Sequence, residues 1–234
     1  MRLVWVVGLG LSMTVASAAC SDRPAADPAV PASAGVPAAA PAPPVVSATP
    51  RIVCLGDSLT AGLGVSPEDA YPAQLAARLR SAGLNYEVVN AGVSGDTSAG
   101  GVRRLDWSMT GDVHVLVVAL GANDGLRGLP AKDLRANLAR IIEAAQARHV
   151  RVVLAGMEAP PNFGANYTGE FRDVYRELAR TYDVVLVPFL LDGVAGVPAL
   201  NQADGIHPTA EGQRIVAATI WRAVAPLVGA HASS

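Results

Sequence analysis

Residues 113–121 read Val113-His114-Val115-Leu116-Val117-Val118-Ala119-Leu120-Gly121. From Val113 to Leu120 the run is dominated by β-branched residues and leucine, and glycines at 111 and 121 bound it. A strand apolar on both faces has no side to offer water, which marks it as an inner strand of a parallel sheet covered by helices. On either side of it, Ile52-Val53-Cys54-Leu55, Val88-Val89, Val150 to Leu154 and Val184 to Val187 read as further short strands. Between and after them, apolar residues recur at helical spacing in Tyr71 to Ala82, Asp133 to Arg148, Phe171 to Tyr182 and Thr209 to Leu227. Alternation of strand and helix predicts an α/β fold, a three-layer α/β/α sandwich around a central parallel sheet of about five strands. In such sheets ligands sit beyond the carboxyl ends of the strands, so the segment after each strand is where chemistry is expected.

The first strand is followed by Gly56-Asp57-Ser58-Leu59-Thr60-Ala61-Gly62. Ser58, right after a strand and at a helix start, fits a nucleophile; alone it fits an N-cap or a turn serine as well. A dinucleotide-binding glycine loop fits poorly, because Gly62-Leu63-Gly64 has no third glycine and no acidic residue closes the next strand. The second strand is followed by Asn90-Ala91-Gly92-Val93-Ser94-Gly95-Asp96-Thr97, where glycine lets backbone approach a substrate. The third is followed by Gly121-Ala122-Asn123-Asp124-Gly125, whose Asn123 carries a side-chain amide donor. Before the last helix stands Asp204-Gly205-Ile206-His207-Pro208, and an Asp three residues before a His can orient one ring nitrogen and leave the other as a base. Each segment has an ordinary structural reading. Together they supply a nucleophile, a backbone donor, a side-chain donor and an oriented base at one edge of one sheet, the parts acyl transfer requires.

Composition narrows the alternatives. The chain has 234 residues, enough to bury a core without disulfides or a structural metal. A net charge of −2 gives no basic excess for nucleic acid. Two cysteines, Cys20 and Cys54, exclude a disulfide framework and Cys-rich metal modules, and Cys54 inside a strand reads as a small buried hydrophobe. The remaining histidines, His114, His149 and His231, have no metal-ligand spacing, so no metal and no cofactor is expected.

With these residues in place, the sequence resembles the SGNH (GDSL-type) hydrolases. The blocks are Gly56-Asp57-Ser58-Leu59, then Gly92, then Gly121-x-Asn123-Asp124, then Asp204-x-x-His207-Pro208. More narrowly it resembles the bacterial acyl-CoA thioesterase, lysophospholipase and arylesterase group, through Gly121 to Gly128, Asn162-Phe163-Gly164 to Tyr167, and Val187-Pro188-Phe189-Leu190. The resemblance implies a flavodoxin-like fold over residues 51–230 and an acyl-enzyme mechanism on esters or thioesters. Ser58 would be the nucleophile, His207 the general base and Asp204 its orienting carboxylate. The amides of Ser58 and Gly92 and the Asn123 side chain would form the oxyanion hole. The segment Glu158 to Tyr167 would be a mobile loop shaping an acyl groove lined by Leu126, Pro160 and Phe163. The expected partner is a small-molecule or lipid ester, with the protein a monomer. A carbohydrate O-deacetylase, or a tethered binding lipoprotein without catalysis, are the competing readings.

The amino-terminal end has a different texture. Met1-Arg2, an apolar run from Leu3 to Val15 and small residues to Ala19 read as a signal peptide over residues 1–19. Export to the periplasm is the expectation. Small residues before Cys20 resemble a lipoprotein box, although Ser17 stands where such boxes usually carry leucine, so lipidation of Cys20 and ordinary cleavage both fit. Residues 21–50 hold eight prolines and ten alanines, too few large apolar groups to offset ordering entropy. Residues 20–50 are therefore expected to be a disordered, semi-rigid tether.

Overall fold

The computed structural model describes residues 49–229. The signal segment, Cys20 and the tether up to residue 48 lie outside the described residues. The described chain runs β1 (Arg51–Gly56), α1 (Ser58–Ala61), α2 (Tyr71–Ser81), β2 (Glu87–Gly92), α3 (Ser98–Ser108) and β3 (Val113–Ala119). It continues through α4 (Ala122–Leu126), α5 (Ala131–Gln146), β4 (Arg151–Ala155), α6 (Ala165–Tyr182), β5 (Val185–Val187) and α7 (Ala210–Gly229). The strands form one five-stranded sheet in the order β2-β1-β3-β4-β5, and every pair is parallel. Helices α2 and α7 pack together on one face, and α3, α5 and α6 on the other. The expected three-layer α/β/α sandwich is what the chain forms.

Inner strands β1 and β3 are buried along nearly their whole length, as their unbroken apolar runs require. Strand β2 lies at the edge and is half exposed, with Glu87 and Asn90 open to water. Helix α5 turns Leu134, Leu138, Ile141 and Ile142 inward at helical spacing, and α6 does the same with Phe171, Val174, Tyr175 and Leu178. Helix α6 begins at Ala165, and Pro161–Phe163 form one turn of 3-10 helix. Much of the segment expected to be a loop is thus helical. Its polar residues Asn166, Thr168 and Glu170 start the helix with little apolar periodicity, so only its later, core-facing turns stood out.

The connection from β1 turns to β2 on one side, and β3 returns to the other side of β1. The loops after β1 and β3 diverge at this point, which opens a crevice at the carboxyl end of the sheet.

Candidate active site

Ser58 stands where β1 runs into α1. Gly56 permits the turn, since a Cβ there would lie 1.9 Å from the Thr60 hydroxyl oxygen and 2.9 Å from the Ala119 carbonyl oxygen. Asp57 caps the short helix: the Leu59 amide donates to its Oδ1 at 3.0 Å. Ser58 is thereby held at the crevice with its side chain toward the loop before α7.

That loop is built around Asp204. The amides of Ile206 and His207 donate to its Oδ1 at 2.9 and 3.0 Å, and the His207 ring meets its Oδ2 through Nδ1 at 2.6 Å. Gly205, at φ +70°, takes the left-handed turn between them. The Gln202 amide donates to the His207 carbonyl, and Asn201 bridges Pro208 antiparallel, which closes the loop. The backbone amide of His207, then its ring, then the Ile206 amide hold the Asp204 carboxyl well below the usual carboxylate range. An ionised carboxylate only accepts, so Nδ1 carries the imidazole proton and Nε2 presents its lone pair. Nε2 lies 2.9 Å from Ser58 Oγ. The structure thus brings Ser58, His207 and Asp204 into one hydrogen-bonded line.

Asn123 is the second residue of α4. Gly121 makes that turn at φ +117°, where a Cβ would lie 2.0 Å from the Tyr175 hydroxyl. That hydroxyl donates to the Leu120 carbonyl at 3.0 Å. Neighbouring Asp124 is buried and accepts from both the amide and the hydroxyl of Ser98, at 2.7 and 2.6 Å, which ties α4 to the start of α3. The Asn123 side-chain amide lies 3.4 Å from Asp57 Oδ2. Asp57 is buried, and that burial pushes its carboxyl up to about 6 against the hydrogen bonds from Leu59 and Asn123. Asp57 also belongs to this site, and its contact with Asn123, 66 residues away, leaves no local pattern in the sequence.

The expected oxyanion donor after β2 is corrected by the fold. Gly92 backs onto α1, where a Cβ would lie 2.2 Å from the Ala61 nitrogen, and its amide donates to Asn90 Oδ1 at 3.0 Å. It does not line the crevice. Gly95 does, at φ +82°, and no group among the described residues accepts from its amide. Gly92 ends this strand and Gly95 follows it, and sequence alone does not tell which one reaches past the end of the sheet. In the structure the Ser94-Gly95-Asp96 turn takes its positive φ at Gly95.

A cavity of about 590 Å³ opens onto these groups, bounded by Ser58, Gly95, Asn123 and His207 on one side. Apolar wall comes from Leu63, Leu126, Met157, Pro160, Phe189 and Ile206. Leu126 and Pro160 are where the groove was expected. Phe163 is not: its ring packs beside Gly128, where a Cβ would be 2.6 Å away, and against Tyr167 with ring centroids 5.4 Å apart. The 3-10 turn directs it toward α6 rather than into the cavity. Cys54 is fully buried, and burial pushes its thiol up to about 12, so it is no nucleophile. Among the described residues no cluster of three or more His, Cys, Asp and Glu is placed to hold a metal ion.

Known proteins place the chain in a family. A family model for GDSL-like lipases and acylhydrolases matches residues 54–215. The chain is 42% identical to Esterase TesA of Pseudomonas aeruginosa, over 78% of this chain and 91% of that protein. It is 36% identical to thioesterase 1/protease 1/lysophospholipase L1 of Escherichia coli K12, over 78% of this chain and 86% of that one. The crystal structure of AlinE4, an SGNH-hydrolase family esterase, superposes with a TM-score of 0.64 at 44% identity, covering 76% of this chain and 96% of that one. The chain belongs to the GDSL-like lipase/acylhydrolase family, the enzymes that hydrolyse acyl esters.

Proposed function

We propose that this chain is an exported serine hydrolase that cleaves carboxylic esters and thioesters through an acyl-enzyme on Ser58. The observation that carries this reading is the line Ser58 Oγ to His207 Nε2 at 2.9 Å, then His207 Nδ1 to Asp204 Oδ2 at 2.6 Å. In the first step Ser58 Oγ bonds to the carbonyl carbon as its proton passes to Nε2. The resulting oxyanion is met by the amides of Ser58 and Gly95 and by the Asn123 side chain. Collapse breaks the bond to the leaving oxygen or sulfur, which takes the proton from Nε2. Water repeats the sequence on the acyl-enzyme and releases the acid. The Asp204 charge stabilises the imidazolium in both steps.

The apolar wall and the size of the cavity favour an uncharged acyl chain of short to medium length. The likeness to a thioesterase and lysophospholipase supports acyl-CoA and lysophospholipid as further substrates. Hydrolysis of p-nitrophenyl butyrate, butyryl-CoA, lysophosphatidylcholine and an acetylated sugar by the full chain, with Ser58→Ala beside it, tests the reading. Turnover of the aryl ester that vanishes in Ser58→Ala is expected. Turnover of the acetylated sugar alone would move the protein to the deacetylases.

Export rests on the sequence of residues 1–20. With Cys20 lipidated, the Pro/Ala segment would act as a spacer between membrane and domain. Activity in the membrane fraction that Cys20→Ser shifts to the soluble periplasmic fraction is the expected outcome; soluble activity in both would leave ordinary cleavage.

A further inference from the structure

Arg104, on α3, contributes no atom to the crevice, yet its guanidinium reaches the ends of β1 and β2 and the turn at Gly95, and so joins the two segments that carry Ser58 and Gly95 into it. Nη2 donates to the Gly56 carbonyl at 2.7 Å, the last residue of β1 and two before Ser58. Nη1 donates to the Ala91 carbonyl at 2.7 Å, near the end of β2. Nε donates to Asp96 Oδ2 at 2.6 Å, beside Gly95. The Asp96 amide in turn closes the Ser94-Gly95 turn onto the Val93 carbonyl at 3.1 Å. The side chains of Arg104 and Asp96 are 16% and 17% exposed, so the pair is held largely out of water and is not a surface ion pair.

The arrangement exceeds what the fold alone asks for. Strands β1 and β2 are already paired by their ladder up to Gly56 and Gly92. The Gly56 carbonyl already accepts from the Val93 amide at 3.0 Å. Arg104 adds a second donor at that carbonyl and joins it to the Asp96 carboxylate through one rigid plane. Its fixed fork sets the separation between the turn that carries Ser58 and the turn that carries Gly95. A lysine could reach one or two of these acceptors but has no planar fork to fix three directions at once. We propose that Arg104 is a positioning residue that holds the Gly95 amide within hydrogen-bond reach of the oxygen that gains charge as Ser58 attacks the carbonyl carbon. This inference rests on the reading of Ser58 as nucleophile and Gly95 as oxyanion donor.

The test uses the full chain with Arg104→Lys and Arg104→Ala. Thermal unfolding, kcat and KM for p-nitrophenyl butyrate, and the second-order rate of labelling by a fluorophosphonate are measured for each. Misplaced groups at an otherwise intact site typically cost between about tenfold and 10²-fold in rate. Arg104→Lys is expected to unfold cooperatively and to take one phosphonyl group per chain. Its labelling and kcat should be slower by roughly that factor, with KM close to wild type. Guanidinium at millimolar concentration should restore part of the kcat of Arg104→Ala, and sodium should not. A residue that merely stabilises the fold would lower the melting temperature and leave kcat at 25 °C unchanged. A folded Arg104→Lys with wild-type kcat and labelling rate would overturn the inference, and so would failure of both variants to fold. A wild-type protein that takes no label would overturn the Ser58 reading instead, so the two failures are distinguishable.

Discussion

Asp57 carries two demands at once. Its Oδ1 caps α1 and its Oδ2 faces Asn123, yet it is buried and its carboxyl is pushed up to about 6 from 3.8. Between those values the folded chain holds a proton that the unfolded chain has released. Stability therefore declines as pH rises through about 4 to 6 and is level above, the reverse of a salt-bridged aspartate. The two values correspond to about 3 kcal/mol. Asp57→Asn keeps the cap and removes the titration, so its melting temperature relative to wild type should rise between pH 4 and pH 7. Thermal unfolding at both values checks this, and a constant difference would contradict it. Asn123→Ala removes one oxyanion donor and should lower kcat by about 10²–10³ with the fold intact. At this scale the sequence was legible where chemistry sits next to a landmark. Ser58 follows a strand, and Asp204 and His207 are three apart. Contacts across the fold, Asp57 with Asn123 and Arg104 with Gly56, leave no local pattern to read.

The elements divide in the same way. Runs such as β3 and periodic helices such as α5 follow from burial on two faces or on one, and both were legible as strand and helix. Helix α3 was not located, because Gly100 and Gly101 near its start disfavour helix by about 1 kcal/mol each. Packing requires them: a Cβ on Gly101 would lie 2.2 Å from Leu120 Cδ1, and one on Gly100 would lie 2.3 Å from Asp96 Oδ1. Gly92, which ends β2, and Gly95, which follows it, have opposite duties, and substitution separates them. Gly92→Ala forces a methyl into the α1 backbone, 2.2 Å from the Ala61 nitrogen, and should cost about 1–3 kcal/mol of stability. At Gly95 the nearest atom to such a methyl is Arg127 Nη2 at 3.9 Å, so space is available. The strain of φ +82° there still costs about 1–2 kcal/mol and shifts the turn. Denaturant unfolding and kcat on both variants should show Gly92→Ala losing more stability. Gly95→Ala should lose more turnover per folded molecule.

For the whole molecule, the site exists only when the sheet is assembled. Ser58 and His207 are 149 residues apart and meet because α7 folds back across α1 and α2. Two glutamines secure that return: Gln213 donates to the Leu59 carbonyl at 3.0 Å and accepts from the Tyr71 amide at 2.9 Å, and Gln202 donates to the Leu63 carbonyl at 2.7 Å. The sequence order of strand and helix was enough to place all the chemistry at one sheet edge. Which glycine and which aromatic ring reach the cavity was decided only by packing between distant segments. This assembly activates one serine, and intact-mass analysis of the full chain after fluorophosphonate treatment, with Ser58→Ala beside it, reads that activation out. A single stoichiometric adduct is expected on the wild type and none on the variant. An unmodified wild type that is folded, or an adduct of equal extent on Ser58→Ala, would contradict it.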